Sequence, residues 1–262
     1  MPLLAQLGAG ALGRLRYLAR LAAVCGAVLA QAARPAAWSR VTRSVFARQI
    51  LFTGVEALSF IALIAVLVGV AVVVQLQVRL AELGQSDLFG TVLVIVIVRE
   101  VAPLLVNFII IGRSGTAIAT ELANMRVLGE VAVLDAQGLD PLRYLVMPRA
   151  LAMMVCVFCL TLFFIAIALA SGFLSGLFMN VGGDLLRAYG DTVARALQPG
   201  DAYNLLAKTL APGLLTAVIC ATEGLSVRGA ITEVPQASTR AVVRSTTALF
   251  LLCAIVSLLT YV

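Results

Sequence analysis

Residues 88–112 read LFGTVLVIVIVREVAPLLVNFIIIG, and this stretch decides the kind of protein that the chain forms. Most of its residues are Leu, Ile, Val or Phe, and about 20 apolar residues in a helix are enough to cross a membrane. Arg99 and Glu100 interrupt the stretch at its middle, where each ionised side chain costs roughly 2.5–3.5 kcal/mol on insertion scales. The apolar residues offset this cost, so we predict a transmembrane helix whose charged face does not meet lipid.

Pro103 strengthens the prediction that Arg99 and Glu100 face the inside of the protein. It lacks a backbone N–H, and in a membrane helix this is tolerated where neighbouring protein or a wet cavity satisfies the carbonyl that is left free. Two interpretations of the charges are open. They form an internal ion pair that joins helices, or they line a translocation path or transmit its opening.

The whole chain has the composition of an all-α integral membrane protein. Of its 262 residues 62% are hydrophobic and 12% are charged, whereas soluble domains carry about 25% charged residues. We predict a single domain over residues 1–262, with the transmembrane region at 51–262. The five predicted spans are 51–76, 88–112, 150–178, 202–225 and 245–262.

Residues 1–50 contain seven arginines and no acidic residue, interleaved with apolar residues. Basic residues recur throughout the region, which is not the pattern of a cleavable signal peptide. We predict an amphipathic helix that lies on the cytoplasmic membrane surface. A merely basic tail is the alternative.

The Lys and Arg residues outside the spans predict the orientation in the membrane. Residues 1–50, 113–149 and 226–244 contain seven, four and three of them, whereas residues 77–87 and 179–201 contain one and two. Because cytoplasmic loops carry the excess of Lys and Arg, we predict a cytoplasmic N-terminus, and the odd number of spans places the C-terminus on the outer side. The net charge of +6 fits these loops better than a nucleic-acid partner.

Several residue types that catalysis and metal binding need are missing or poorly placed. The chain has no histidine, and its five cysteines lie in apolar surroundings, so we predict no catalytic residue and no metal site. The phosphate-binding pattern G-x-x-x-x-G-K-[ST] is absent, and Lys208 is the single lysine. We therefore predict that the chain is not an enzyme and that a partner must hydrolyse any ATP.

Residues 113–149 are too many for a simple turn between two spans. Charged and apolar residues alternate there at helical spacing, and Gly138 is the predicted helix end. The segment is an ordinary interfacial helix or a docking surface.

Elsewhere, Lys208 and Glu223 lie near the ends of the fourth span and are expected to reach the membrane interface or water. Gly172 and Gly176 have the spacing of close helix packing.

Five motifs follow one another across the second span and the segment after it. They are Arg99-Glu100-Val-Ala-Pro103, Gly112-Arg113-Ser-Gly115, Glu121-Leu-Ala-Asn-Met125-Arg126, Asp135-Ala-Gln-Gly138 and Asp140-Pro141-Leu-Arg-Tyr144. Together they resemble the signature region of the MlaE/YrbE permeases. The chain length, the basic N-terminal region and the five spans extend the resemblance over nearly the whole chain.

The resemblance implies the membrane subunit of an MCE-associated ABC-type phospholipid transporter in the bacterial inner membrane. Such a transporter moves phospholipid between the inner and outer membranes and maintains outer-membrane lipid asymmetry. The implied assembly is a homodimer with cytoplasmic ABC ATPase subunits, which bind the ATP and Mg, and a periplasmic MCE-domain protein. A small cytoplasmic accessory subunit is a possible further partner, and this chain itself is expected to bind no cofactor.

The resemblance also implies three sets of functional residues. The transport or gating charges are Arg48, Arg99, Glu100, Lys208 and Arg240. The ATPase-coupling helix contains Glu121, Asn124, Met125, Arg126, Glu130 and Asp135. The wall of a lipid cavity between two copies contains Val70, Val73, Val74, Val92, Ile95 and Val96.

Three other functions are open alternatives. An ion-coupled secondary transporter would use Glu100 and Lys208 as a relay, although five spans without an inverted repeat fit that class poorly. An intramembrane enzyme would use Ser114 as its nucleophile, but no neighbouring residue in the sequence can activate it. A passive scaffold for envelope proteins would need none of the charges.

Overall fold

A computed structural model of the chain describes residues 2–83, 89–178, 195–196 and 198–261. Its α-helices are α1 (Pro2–Ala32), α2 (Arg40–Thr53), α3 (Leu58–Glu82), α4 (Phe89–Leu93), α5 (Ala102–Ile110), α6 (Thr116–Val127), α7 (Glu130–Ala136), α8 (Met147–Phe178), α9 (Pro199–Leu225) and α10 (Glu233–Tyr261). Wider π-helical turns occupy Val94–Val101, Ile111–Gly115 and Leu142–Val146. The described residues contain no strand, so the all-α prediction is confirmed.

Within the described residues, six helical stretches are long and apolar enough to cross a membrane. Five of them correspond to the predicted spans. The sixth, Leu15–Ala32, belongs to α1, and only 11% of it is buried in the protein. Helix α1 therefore lies at the periphery, and its position on the membrane surface stays a prediction.

Helices α8 and α9 form the centre of the bundle. Helices α2, α3 and α9 pack on α8, and α9 also packs on α6 and α10. The membrane-spanning part of α9 is 61% buried, whereas that of α10 is only 17% buried. Large apolar side chains on α10, including Phe250, Leu251 and Leu258, therefore lie exposed on the outer surface of the single chain.

Glycines bring α3 and α8 into direct contact. A Cβ atom added to Gly69 would lie 2.2 Å from the carbonyl oxygen of Ala168, and one added to Gly172 would lie 2.3 Å from Val73 Cγ2. Small residues at helix interfaces allow such close approach of backbones in membranes. The close packing predicted at Gly172 is confirmed.

We expect Gly69→Ala to lower the free energy of unfolding by about 1–3 kcal/mol, because the added methyl group meets backbone that has no rotamer to change. The matched control is Gly112→Ala, since a Cβ atom there meets nothing within 4 Å. Unfolding of both variants in detergent micelles measures the difference. Equal stability of the two variants would contradict the close contact.

The segment 113–149 is built differently from the predicted single helix. Helix α6 continues the second span through the π-helical turn Ile111–Gly115 and ends at Val127. Gly129 then adopts a φ of 79°, a left-handed conformation that glycine reaches without steric cost, and the short α7 follows. The continuous helix expected over Glu121–Asp135 is therefore wrong, because Gly129 divides it. Gly138, with a φ of 73°, ends α7 as predicted.

Helix α10 begins at Glu233, so the predicted polar connection 226–244 is helical over most of its length. An acidic residue in the first turn favours a helix start, and Glu233 also accepts a hydrogen bond from the backbone N–H of Arg228 at 2.8 Å. As a result, Arg240 and Arg244 project from a helix instead of a loop.

Candidate functional site

Arg99 and Glu100 lie in the π-helical turn Val94–Val101 at the middle of the second span. The N–H of Ala102 donates to the carbonyl of Ile97, five residues earlier, which is the wide hydrogen-bonding pattern of a π-helix. Such turns inside α-helices occur frequently at functional sites. The neighbouring Pro103 lacks the N–H that would donate to the Arg99 carbonyl in an α-helix.

Arg99 does not pair with Glu100; it pairs with Asp201 of α9. Its Nε lies 2.7 Å from Asp201 Oδ1, and its Nη2 donates to Oδ2 at 3.2 Å. The Arg99 and Asp201 side chains are only 12% and 7% exposed, so little solvent reaches either charge and each one stabilises the other. Asp201 also accepts the backbone N–H of Gln198 at 2.9 Å, which fixes the start of α9.

Glu100 pairs with Lys208, which lies on α9 about two helical turns after Asp201. The Lys208 Nζ lies 2.7 Å from Glu100 Oε1 and also donates to the carbonyl oxygen of Arg99 at 2.9 Å. That carbonyl is the one that Pro103 leaves without its usual donor. Lys208 is 1% exposed, so the expectation that it reaches the membrane interface is wrong.

The four residues Arg99, Glu100, Asp201 and Lys208 are here called the buried charge cluster, in which Glu100 is the most exposed member, with 44% of its side chain accessible. Two of them are cationic and two are anionic, so their formal charges cancel. Ser257 of α10 donates to Glu100 Oε1 at 3.0 Å, which connects a third helix to the cluster. Arg99 and Glu100 therefore join helices through partners on α9 and not through each other, and their part in translocation stays a prediction.

Asn107 supports the cluster from about two helical turns further along the second span. It is fully buried, and its Nδ2 donates to the carbonyls of Pro103 at 2.8 Å and Lys208 at 3.1 Å. Each unsatisfied backbone group costs several kcal/mol in a membrane, so these bonds hold the two helices in register.

A second charged cluster lies at the other end of α9. The buried Glu223 accepts from Arg240 Nε at 3.4 Å, from the Arg244 guanidinium and from the Tyr17 hydroxyl at 3.2 Å. The Arg244 guanidinium carbon lies 4.5 Å from the centre of the Tyr17 ring. Glu223 was expected to reach water, and this is wrong because two arginines and a tyrosine enclose it. Arg240 and Arg244 also line a groove of about 410 Å³ on α10.

The predicted coupling residues form an exposed polar surface on α6 and α7. Glu121, Asn124, Arg126, Glu130 and Asp135 are exposed, and Met125 is half-buried. The Oε1 of Glu121 lies 2.6 Å from Nη2 of Arg149, which is buried. Arg48 is exposed and lines, with Glu121 and Arg149, a cavity of about 290 Å³ between α2 and α6.

The six valine and isoleucine residues predicted to line a lipid cavity have different surroundings. Val73 is fully buried against Gly172, so it is not accessible in this conformation. Ile95 is exposed, and the other four residues, Val70, Val74, Val92 and Val96, are half-buried. A cavity between two copies of the chain stays a prediction.

The buried Ser114 Oγ contacts no polar partner in the described part of the chain. No general base lies within hydrogen-bond reach of it there, so the geometry gives no activated nucleophile. The described residues also contain no group of three His, Cys, Asp or Glu side chains that could hold a metal ion.

Comparison with known proteins assigns the family. The family model described as Permease MlaE matches residues 46–259, which is most of the chain. The chain belongs to the MlaE permease family. The match contains the buried charge cluster, Glu223, Arg240 and the coupling surface, whereas α1 precedes it.

Named relatives agree with this assignment. This chain is 31% identical to a probable ABC transporter permease protein of Rickettsia prowazekii over 77% of each chain. It is 29% identical to a probable ABC transporter permease protein of Synechocystis over 81% of this chain and 80% of the relative. It is also 31% identical to the protein trigalactosyldiacylglycerol 1, chloroplastic, of Arabidopsis thaliana over 78% of this chain and 58% of that protein.

This chain is therefore a multi-pass membrane protein and the membrane subunit of an ABC-type transporter. ABC transporter permeases work with an ATPase partner. The prediction that ATP is hydrolysed outside this chain agrees with its relatives, which are named as permease proteins.

Proposed function

We propose that this MlaE permease is the membrane subunit of an ATP-driven phospholipid transporter. It moves phospholipid between the inner and outer membranes of a bacterium through a periplasmic MCE-domain partner, and so maintains outer-membrane lipid asymmetry. The observation that carries the proposal is the buried charge cluster, which lies at the middle of a membrane helix in a chain of the MlaE family. A lipid cargo is supported by the Arabidopsis relative, whose name contains that of a glycerolipid.

The arrangement of the helices suggests how the partners are placed. The exposed polar surface on α6 and α7 would receive the ATPase on the cytoplasmic side, where Lys and Arg are most frequent outside the spans. The exposed apolar face of α10 would be covered by lipid or by the second copy of a homodimer. The N-terminus is then cytoplasmic, the C-terminus is periplasmic, and a small accessory subunit would bind on the cytoplasmic side.

The test is a reconstitution of the permease with its ATPase and MCE partners in vesicles that contain a fluorescent phospholipid. We expect lipid movement with ATP and Mg and none with a non-hydrolysable ATP analogue. Arg126→Glu should reduce lipid movement and ATPase binding strongly, because it reverses an exposed charge on the proposed docking surface. Arg79→Glu, at an exposed arginine outside that surface, is the matched control.

Two results would contradict the proposal. Lipid movement driven by an ion gradient without the ATPase would favour the secondary transporter with Glu100 and Lys208 as its relay. Normal lipid movement and normal ATPase binding in Arg126→Glu would remove the docking surface from the mechanism.

A further inference from the structure

Helix α1 lies outside the residues that match the family model, and little of its membrane-compatible part is buried. It nevertheless contacts the rest of the protein through specific polar groups near two points along its length. These contacts reach two regions that are distant in sequence, namely the C-terminal end of α9 together with the first half of α10, and the turn that follows α7.

The first contact is made by Tyr17. Its hydroxyl donates to Glu223 of α9, and its ring lies beneath the guanidinium group of Arg244 of α10. The negative face of the aromatic ring attracts a cation above it. Because Arg244 also pairs with Glu223, one tyrosine holds α1 to two helices.

The second contact is made near the C-terminal end of α1. Gln31 Nε2 donates to Asp140 Oδ2 at 3.2 Å, and the Arg143 guanidinium donates to the carbonyl of Ala36 just beyond the helix. Asp140 follows α7 closely, and its Oδ1 accepts the N–H of Leu142 at 2.9 Å. The turn that joins the coupling surface to α8 is therefore attached to α1.

The two contact points are separated by a continuous helix. Tyr17 and Gln31 are 14 residues apart, which corresponds to about 21 Å along the axis. At the far side of Arg244, α10 continues to Ser257, whose hydroxyl donates to Glu100 in the buried charge cluster. A connected series of polar contacts and helices thus runs from the turn after α7 to that cluster.

We propose that α1 is a mechanical link, in which Tyr17 and Gln31 act as positioning residues that pass movement of the α7 turn to α10. The link rests on the proposed function, since it needs an ATPase that moves α7. A second route exists, because α6 packs directly on α9, where a Cβ atom at Gly224 would lie 2.5 Å from the Ala119 carbonyl. If movement passes only through the contact between α6 and α9, variants of α1 should leave transport per ATP unchanged. If it passes through α1, they should lower it.

The experiment measures phospholipid moved per ATP hydrolysed in vesicles that contain the full transporter. We expect Tyr17→Leu and Gln31→Leu each to lower this ratio at least about fivefold, the lower end of measured coupling between linked sites. The double variant should be no worse than either single variant, because both changes interrupt the same link. Leu18→Ala, at an exposed neighbour of Tyr17, is the control and should keep the full ratio.

A rescue separates coupling from folding. The double change Gln31→Glu with Asp140→Asn exchanges donor and acceptor, and the new amide oxygen can still accept the N–H of Leu142. It should restore the ratio. Unchanged ratios in Tyr17→Leu and Gln31→Leu, or losses that multiply in their double variant, would overturn the link alone. A wild-type transporter without ATP-driven lipid movement would overturn the proposed function and the link together.

Discussion

Replacing Arg99 with Leu should lower the free energy of unfolding by about 3–5 kcal/mol, the range measured when one partner of a buried ion pair is removed. Asp201 would keep its charge in a site where only 7% of its side chain is exposed, and the remaining bond from the Gln198 N–H cannot replace a guanidinium. Unfolding of the purified protein in mixed micelles measures the loss.

A second substitution tests the cause of that loss. Asp201→Asn removes the anion but leaves an amide oxygen that can accept the Gln198 N–H, so Arg99→Leu with Asp201→Asn should recover most of the stability. The single change Asp201→Asn should be destabilising, because it leaves Arg99 buried without its anion. A double variant as unstable as Arg99→Leu would show that the ion pair is not the reason.

Replacing Glu100 with Gln should reduce lipid movement by tenfold or more, which corresponds to at least about 1.4 kcal/mol. Gln has nearly the same shape as Glu and can accept the Ser257 hydrogen bond, but it removes the anion beside the fully buried Lys208. The measurement is phospholipid moved in the reconstituted transporter. ATP hydrolysis in the same vesicles shows whether the ATPase still works.

The neutral pair Glu100→Gln with Lys208→Met separates the two interpretations of the charges. If Glu100 and Lys208 only join helices, the neutral pair should be as stable as the wild type and should transport lipid at the wild-type rate. We expect the neutral pair to have wild-type stability but low transport, because a translocation path or its gate needs the charges themselves. Wild-type transport in the neutral pair would assign Glu100 and Lys208 to structure alone.

The sequence predicted the helices well because the signal for a membrane span is local. A run such as 88–112 must cross the membrane as a helix whatever surrounds it, since its backbone groups find no other partner in lipid. The inward direction of Arg99 was also predictable, because charge at mid-membrane is costly on any lipid-facing surface, whereas Glu100 contacts Lys208 but keeps 44% of its side chain exposed. Pro103 favoured the same inward orientation, because the carbonyl that its missing N–H leaves free must be satisfied by neighbouring protein or water.

The ion-pair partners were not predictable, because they depend on which helices meet. Asp201 lies 102 positions after Arg99 and was counted in a polar connection, whereas it starts α9. Lys208 and Glu223 were each expected to reach the membrane interface or water, which is the usual result for a single charge near the end of a span. Both became buried because opposite charges on other helices meet them.

Tyr17 and the division of the coupling helix were missed for other reasons. One tyrosine in a basic, apolar region gives no sign of a partner 206 positions away. Gly129 was a weak local signal, because a single glycine within a helical pattern is often tolerated at a cost of about 1 kcal/mol. Its φ of 79° shows that the chain uses the conformational freedom of glycine at that position.

The wide turn at Val94–Val101 also determines which changes in chain length the second span can accept. Deleting one residue there would let an ordinary α-helix form, and because a π-helical turn holds one residue more than an α-helical turn, the helix on either side would keep nearly the same faces. Natural variation in this span should therefore place single-residue deletions at the wide turn, because a deletion in the α-helical parts would turn one half of the helix by about 100° away from the neighbours that the other half still meets.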